Sequence, residues 1–241
     1  MAPKTDLRTD LLKSVKRVVI KIGSGVLTGE DGLNMPVMDD LAANMSTLKK
    51  SGIEIVLVSS GAIAAGMRKL KMTRRPHTIS EQQATAAVGQ GNLIRAWENA
   101  FEEHGHRVGQ LLLTRDDLTH RRRYLNARNT IFTLLSWGIV PIVNENDTVV
   151  VDEIKFGDND NLSAMVTNLS ESDFLINLTN IDGLFDKDPR DHKDARLIYT
   201  VEKVDRKITQ FAGAIPGFLG KGGMGSKITA AKKVALAGVP T

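Results

Sequence analysis

The sequence predicts an α/β fold: a mostly parallel central sheet with helices packed on both faces. Three observations carry that expectation. Short runs rich in Val, Ile and Leu alternate along the chain with amphipathic stretches of helical length, as repeated strand–helix units require. The runs are continuously apolar, as in strands buried on both faces. Several end in small, polar or basic residues, and open parallel sheets bind ligands at those carboxyl ends.

The first such run is RVVIKI (17–22), with Lys21 near its end and Gly23-Ser24-Gly25 directly after. A strand feeding a glycine turn lets backbone N–H groups approach a phosphate, although the spacing matches neither GxGxxG nor GxxxxGK[ST]. An amphipathic helix over 38–50 closes at Ser51-Gly52, and a second strand (53–58) runs into Ser59-Ser60-Gly61-Ala62. Those small residues serve either an anion site or close helix–sheet packing. A long helix is expected over 81–103, with its apolar face on Ala84, Val88, Leu93, Trp97 and Phe101. Gly89 and Gly91 inside it cost about 1 kcal/mol each relative to alanine. They suggest contact with another backbone, within the chain or on a partner subunit.

A third strand (108–114) precedes the charged segment 115–123, read as a solvated, partly acid-paired loop. Its three arginines lack the interleaved aromatics of a single-strand nucleic-acid platform, and none of the five histidines has metal-ligand spacing. Residues 124–135 read as helix, 139–143 and 173–178 as strands, and 204–211 as helix. Near the end, LGKGGMGSK (219–227) sets glycines around two lysines before a helix that starts at Gly225. This is the best anion-binding candidate in the chain.

The most informative stretch is NENDTVVVDEIKFGDNDN, residues 144–161. Four short acceptors stand at each end, where one helix cap would need only one. After it, Leu162, Met165, Val166 and Leu169 repeat with helical period. A polar pocket at a strand end explains this surplus better than a turn does.

The chain of 241 residues, 41% hydrophobic and 25% charged, suits one globular domain. No apolar run reaches membrane-span length, and residues 1–17 contain no signal-peptide core. Cysteine is absent, which excludes disulfides and thiolate metal sites. A cytoplasmic protein without membrane partners is expected. The net charge of +4 suits anionic ligands without requiring nucleic acid.

No Ser–His–Asp or Cys–His arrangement suggests a protein nucleophile. Phosphoryl transfer depends on positioning and charge stabilisation instead, and a carboxylate acceptor is already ionised near neutral pH. Two lysines and an ordering carboxylate would suffice, and Lys21, Lys227 and Asp160 are the candidates.

The segments VVIKIGSGVLTG, IVLVSSGAIAAG, VGQLLLTRDDL, YLNARNT, IVPIVNENDTV, EIKFGDNDNLSA, NIDGLFDKDPR and GKGGMGSK occur in that order from Arg17 onward. With them the chain resembles the glutamate 5-kinase branch of the amino acid kinase family. The resemblance implies an αβα sandwich and transfer of the γ-phosphoryl of ATP to the side-chain carboxylate of L-glutamate. That is the first step towards proline, which would act as feedback inhibitor. It implies catalytic roles for Lys21, Lys227 and Asp160. Backbone N–H groups of Gly23 and Gly61 would face the phosphoryl. Ser60, Asp147, Asn159 and Asp158 would bind glutamate, and Lys21, Gly23, Thr179, Asn180, Lys221, Gly222, Gly223, Met224, Gly225, Ser226 and Lys227 would bind ATP. Magnesium would come with the nucleotide, bridging its phosphates, and a homo-oligomer (dimer or tetramer) is implied.

On the same basis residues 1–16 are an N-terminal extension and 17–241 the kinase domain. Since helix 225 onward should lead into a further strand, the fold is expected to be clipped at Thr241. The C-terminal domain of the RNA-modifying-enzyme type would be absent. Asn180 departs from the Asp that some members carry after the Thr. Two other readings stay open: a family member acting on acetylglutamate or aspartate, and a basic nucleic-acid-binding module built on Arg121, Arg122 and Arg123.

Overall fold

The computed structural model describes residues 7–29, 32–149, 159–213 and 223–241. A short helix α1 (Leu7–Leu12) precedes β1 (Arg17–Ile22), in which five consecutive residues are buried. Gly23 turns the chain into the single-turn helix α2 (Ser24–Leu27) and a small antiparallel pair, β2 (Thr28–Gly29) with β3 (Gly32–Leu33). Helix α3 (Met35–Lys50) is capped by the Asn34 side chain and has Pro36 in its first turn, where the missing N–H is harmless. Strand β4 (Glu54–Ser59) leads through Gly61, at φ +110°, into α4 (Ala62–Lys69). The long α5 (Ile79–Glu102) opens on a reciprocal cap between Thr78 and Glu81.

Strand β5 (Val108–Leu113) is followed by α6 (Arg115–Thr119) and α7 (Arg121–Ser136). The arginine-rich segment is therefore helical, which corrects the loop expectation. Thr114 and Asp117 cap α6 reciprocally, and Arg123 pairs with Asp117 at 3.3 Å. That local hydrogen bonding outweighs the charge density which suggested an unstructured run. Strand β6 (Val140–Glu145), a 3₁₀ turn (Asp147–Val149), α8 (Asn159–Leu169), β7 (Phe174–Leu178), α9 (Arg206–Gly213) and α10 (Met224–Ala235) complete the described elements.

Among the described residues, five strands form one sheet in the order β5-β6-β4-β1-β7, and every pairing is parallel. Side chains alternate between its faces. Val18, Ile20, Ile22, Ile55 and Leu57 pack against α3, α4 and α5. Val19, Val56, Val58, Val143 and Leu175 pack against α7, α8 and α10. The expected layered sandwich is thus observed. From β1 the chain steps to β4 and the far edge, then returns across β1 to β7. The crevice at such a reversal is where open sheets bind ligands.

Two helical glycines explain how α4 and α5 pack. A Cβ at Gly66 would lie 1.9 Å from the Thr85 carbonyl oxygen, and one at Gly89 would lie 1.8 Å from that of Ala62. The backbone contact expected of Gly89 is therefore made within the chain, and Gly91 has nothing within 4 Å. The buried stripe runs through Ala86, Gly89, Leu93, Trp97 and Phe101, while Ala84 is exposed. Gly89→Ala is expected to destabilise the protein by about 3 kcal/mol, the upper part of the overpacking range. Gly91→Ala should instead stabilise it by roughly 0.5–1 kcal/mol through helix propensity. Urea denaturation of both variants checks the pair, and equal effects would refute the crossing as the cause.

Candidate active site

Strand β1 carries Lys21 on the face covered by α8 and α10, just before the strand ends. Lys21 is buried, its side chain 4% exposed, and its Nζ donates to Oδ1 of Asp160. Asp160 lies in the first turn of α8, where a carboxylate is favoured by the helix dipole, and its side chain is wholly inaccessible. Its other oxygen, Oδ2, accepts from Ser226 Oγ at 2.6 Å and from Lys227 Nζ at 3.2 Å. The single Ser226 proton is shared with the Gly223 carbonyl oxygen, 2.7 Å away. Burial pushes the Asp160 carboxyl up. The charge and hydrogen bond of Lys21, the Ser226 hydroxyl and the Lys227 charge outweigh that, and hold it below the usual carboxylate range.

The three expected catalytic residues therefore meet, from β1, α8 and α10. Their side chains carry two positive charges and one negative, with Lys227 more open at 14% exposure. A surplus positive charge beside a helix N-terminus is suited to a phosphate.

One residue earlier on α8, Asn159 faces the other half of the site. Its Nδ2 lies 2.8 Å from Ser60 Oγ, 3.0 Å from Asn144 Oδ1 and 3.1 Å from the Ser59 carbonyl oxygen. Two hydrogens thus serve three acceptors, tying the ends of β4 and β6 to α8. As a glutamate-binding residue its amide could donate to a carboxylate. In this conformation its donors go to protein oxygens, and only Oδ1 is left to face a ligand.

Asp147, in the 3₁₀ turn after β6, completes this half. Burial pushes its carboxyl up to about 6, partly offset by a hydrogen bond from the Gln90 side chain. Gln90 also reaches the Glu145 carbonyl oxygen at 3.4 Å and accepts from Gln110 Nε2 at 3.2 Å. Sequence reasoning missed Gln90, although a signal existed. It stands among Ala86, Leu93 and Trp97 on the buried face of α5, where an apolar residue is the norm.

On the far side of Lys227 opens a cleft of about 190 Å³, lined among others by Thr179, Asn180, Phe185, Phe211 and Met224. Thr179, Asn180, Gly223, Met224 and Lys227 were expected there; Phe185 and Phe211 were not. Asn180 is exposed, and its side chain lies near Gly25, 3.7 Å from where a Cβ would stand. Gly223 caps α10, and Met224, Gly225, Ser226 and Lys227 form its first turn, so the helix begins one residue earlier than expected. Gly61 caps α4. The Gly23 N–H, expected to face a phosphate, instead donates to the Leu178 carbonyl oxygen at 3.4 Å. Register closure between β1 and β7 takes that donor. Asp158, Lys221 and Gly222 lie outside the described residues.

Comparison with known proteins agrees with this geometry. The model of the amino acid kinase family matches residues 16–241. A glutamate 5-kinase of Geobacter sulfurreducens is 55% identical over 98% of this chain, and one of Geobacter metallireducens 56% identical over the same share. A third, of Pseudomonas savastanoi, is 50% identical over 95%. The chain spans 63% of the length of each of these relatives. A carbamate kinase from Giardia lamblia, solved bound to AMP-PNP, shares the fold with a TM-score of 0.58 and 18% identity; the match covers 93% of this chain and 90% of that one. A family model that spans β1 to α10, on a parallel sheet bearing the lysine–aspartate–lysine cluster, makes this chain a member of the amino acid kinase family.

Proposed function

We propose that this chain catalyses ATP-dependent phosphorylation of the side-chain carboxylate of L-glutamate, giving L-glutamyl 5-phosphate. The observation that carries the reading is the convergence of Lys21, Asp160, Ser226 and Lys227. On one side Asn159 meets Ser60 at the end of β4, and on the other a cleft is lined by Thr179, Asn180 and Met224. Relatives that carry the name glutamate 5-kinase at 50–56% identity support the choice of acceptor.

In this reading an oxygen of the ionised γ-carboxylate attacks the γ-phosphorus of ATP. The bond to the β-phosphate oxygen breaks and ADP leaves. The acceptor is deprotonated at neutral pH, so no general base is needed. Lys21 and Lys227 balance charge on the transferring group, and Asp160 fixes both ammonium groups before substrate arrives. Asp147 offers a negative charge to the glutamate ammonium, with Ser60 and Asn159 around it. Asp158 belongs to the same proposed set, and Gly61 would offer its backbone N–H.

Thr179, Asn180 and the loop from Lys221 through Gly222 and Gly223 to Lys227 would hold the nucleotide. Magnesium fits as an ion carried on the ATP phosphates, because the Asp160 oxygens are committed to Lys21, Ser226 and Lys227. So bound, it would neutralise phosphate charge. Proline as feedback inhibitor, a dimer or tetramer, and a cytoplasmic setting belong to the same proposal. Among the described residues no helix is long and apolar enough to cross a membrane.

Lys21→Ala and Lys227→Ala should each lower kcat on the order of 10²–10³-fold, as loss of a preorganised charge contact does. Steady-state ADP release with and without L-glutamate checks this; a variant keeping half of the parent kcat would refute the roles. Turnover with acetylglutamate or aspartate in place of glutamate would redirect the substrate assignment.

Asp147 gives a pH signature. Its folded-state carboxyl sits near 6, above the usual 3.9 or so of a free aspartate. Ionisation therefore disfavours the folded state above pH 6, on the order of 3 kcal/mol. The penalty fades as pH falls from about 6 to about 4, because the folded form takes up the proton first. Asp147→Asn should stabilise the ligand-free protein at pH 8 and lose most of that gain at pH 4. The KM for glutamate should rise as pH drops through about 6, up to about tenfold per unit, because protonation removes the charge that meets the ammonium. Urea melts and initial rates across pH 5–8 measure the two effects. A glutamate KM flat across that range would exclude Asp147 from the ammonium site.

A further inference from the structure

Asn177 is the fourth residue of β7 and pairs in register with Lys21 of β1. Paired residues of neighbouring strands project to the same face, so Asn177 shares the side of the sheet covered by α8 and α10. Leu175, two residues before it, packs into the cluster on that side. Both polar atoms of the Asn177 carboxamide are buried and have no hydrogen-bond partner among the described residues. The rest of β7 is Phe174, Leu175, Ile176 and Leu178. Burying an amide without partners destabilises a fold, and a leucine there would add apolar contact instead.

The groups that share this side come from three elements. Ser163 of α8 donates to the Asp160 carbonyl oxygen, Thr167 to that of Ser163, and Ser226 of α10 to Asp160 and Gly223. Their hydroxyl protons are spoken for. The Lys21 ammonium carries three protons, is adjacent in register, and sits on a carboxylate that is shared with Lys227.

We propose that Asn177 is a positioning residue for phosphoryl transfer, whose Oδ1 accepts from Lys21 Nζ when a nucleotide phosphate draws that ammonium away from Asp160. The inference rests on the phosphotransferase reading given above. Lys21 must turn towards phosphate oxygens without losing its charge. A neutral acceptor beside it in register limits its swing and leaves that charge intact. An aspartate at 177 would neutralise the lysine, and an apolar residue would let it wander. The cost of the unpaired Oδ1 in the ligand-free state is thereby matched to a need in the liganded one.

Asn177→Leu separates this from a structural role. It is expected to raise Tm, because the unpaired atoms are gone, and to lower kcat about tenfold, a barrier change of about 1.4 kcal/mol. The KM for glutamate and the Kd for AMP-PNP should stay within about threefold, since binding without transition-state stabilisation is largely retained. Asn177→Asp should lower kcat as well. A kcat within twofold of the parent for Asn177→Leu, or a Tm that falls together with activity, would overturn the proposal.

The ¹⁵N resonance of the Lys21 ammonium gives a readout that needs no phosphoryl acceptor. AMP-PNP should sharpen it in the parent chain and leave it broad in Asn177→Leu; equal sharpening overturns the proposal. Absence of glutamate-dependent turnover in the parent chain defeats the glutamate reading alone, and the ammonium resonance still decides the role of Asn177.

Discussion

The buried carboxylate of Asp160 is the point on which this molecule depends. It is reached by Lys21 from β1 and by Ser226 and Lys227 from α10, so three separate segments are joined through two oxygen atoms. Removing one partner of such a buried pair leaves an uncompensated charge, which typically costs about 3–5 kcal/mol. Here the arrangement is unequal by design of its composition: two ammonium groups share one carboxylate. The contact that joins the helices thus also concentrates positive charge at the carboxyl end of β1.

The start of α8 divides the site. Successive residues of a helix point about 100° apart, so Asn159 and Asp160 meet different partners although they are neighbours in the chain. Asn159 gathers Ser59, Ser60 and Asn144 at the ends of β4 and β6. Asp160 gathers the lysines. One helical turn therefore sets the distance between these two clusters, and a shift of α8 would disturb both together.

Much of this was legible in the sequence. The strands were marked by β-branched runs, and the site by the surplus of Asn and Asp around residues 144–161 and the glycines before Lys227. The meeting of Lys21 with Asp160, 139 positions away, was implied by resemblance and could not follow from local pattern, because nothing in either segment encodes the other. The helix at 115–119 and the first residues of the one at 121–136 were overlooked because charge density was read before the reciprocal cap of Thr114 and Asp117. Gln90 was passed over because a polar residue on an apolar helix face looks like noise until its partners are known. The Gly23 amide went to a neighbouring strand because closing the sheet supplies an acceptor, the Leu178 carbonyl oxygen, that local sequence does not reveal.

The crossing of α4 and α5 has a mechanical side. Helices that meet through side chains can slip by changing rotamers, whereas at Gly66 and Gly89 carbonyl oxygens sit where a methyl group would stand. Such a joint has no soft coordinate, because only bond angles and backbone torsions could yield. Both helices border the acceptor half, α4 directly after Ser60 and Gly61 and α5 through Gln90. The ends of β4 and β6 are thus braced by a joint that cannot slide without straining the backbone itself.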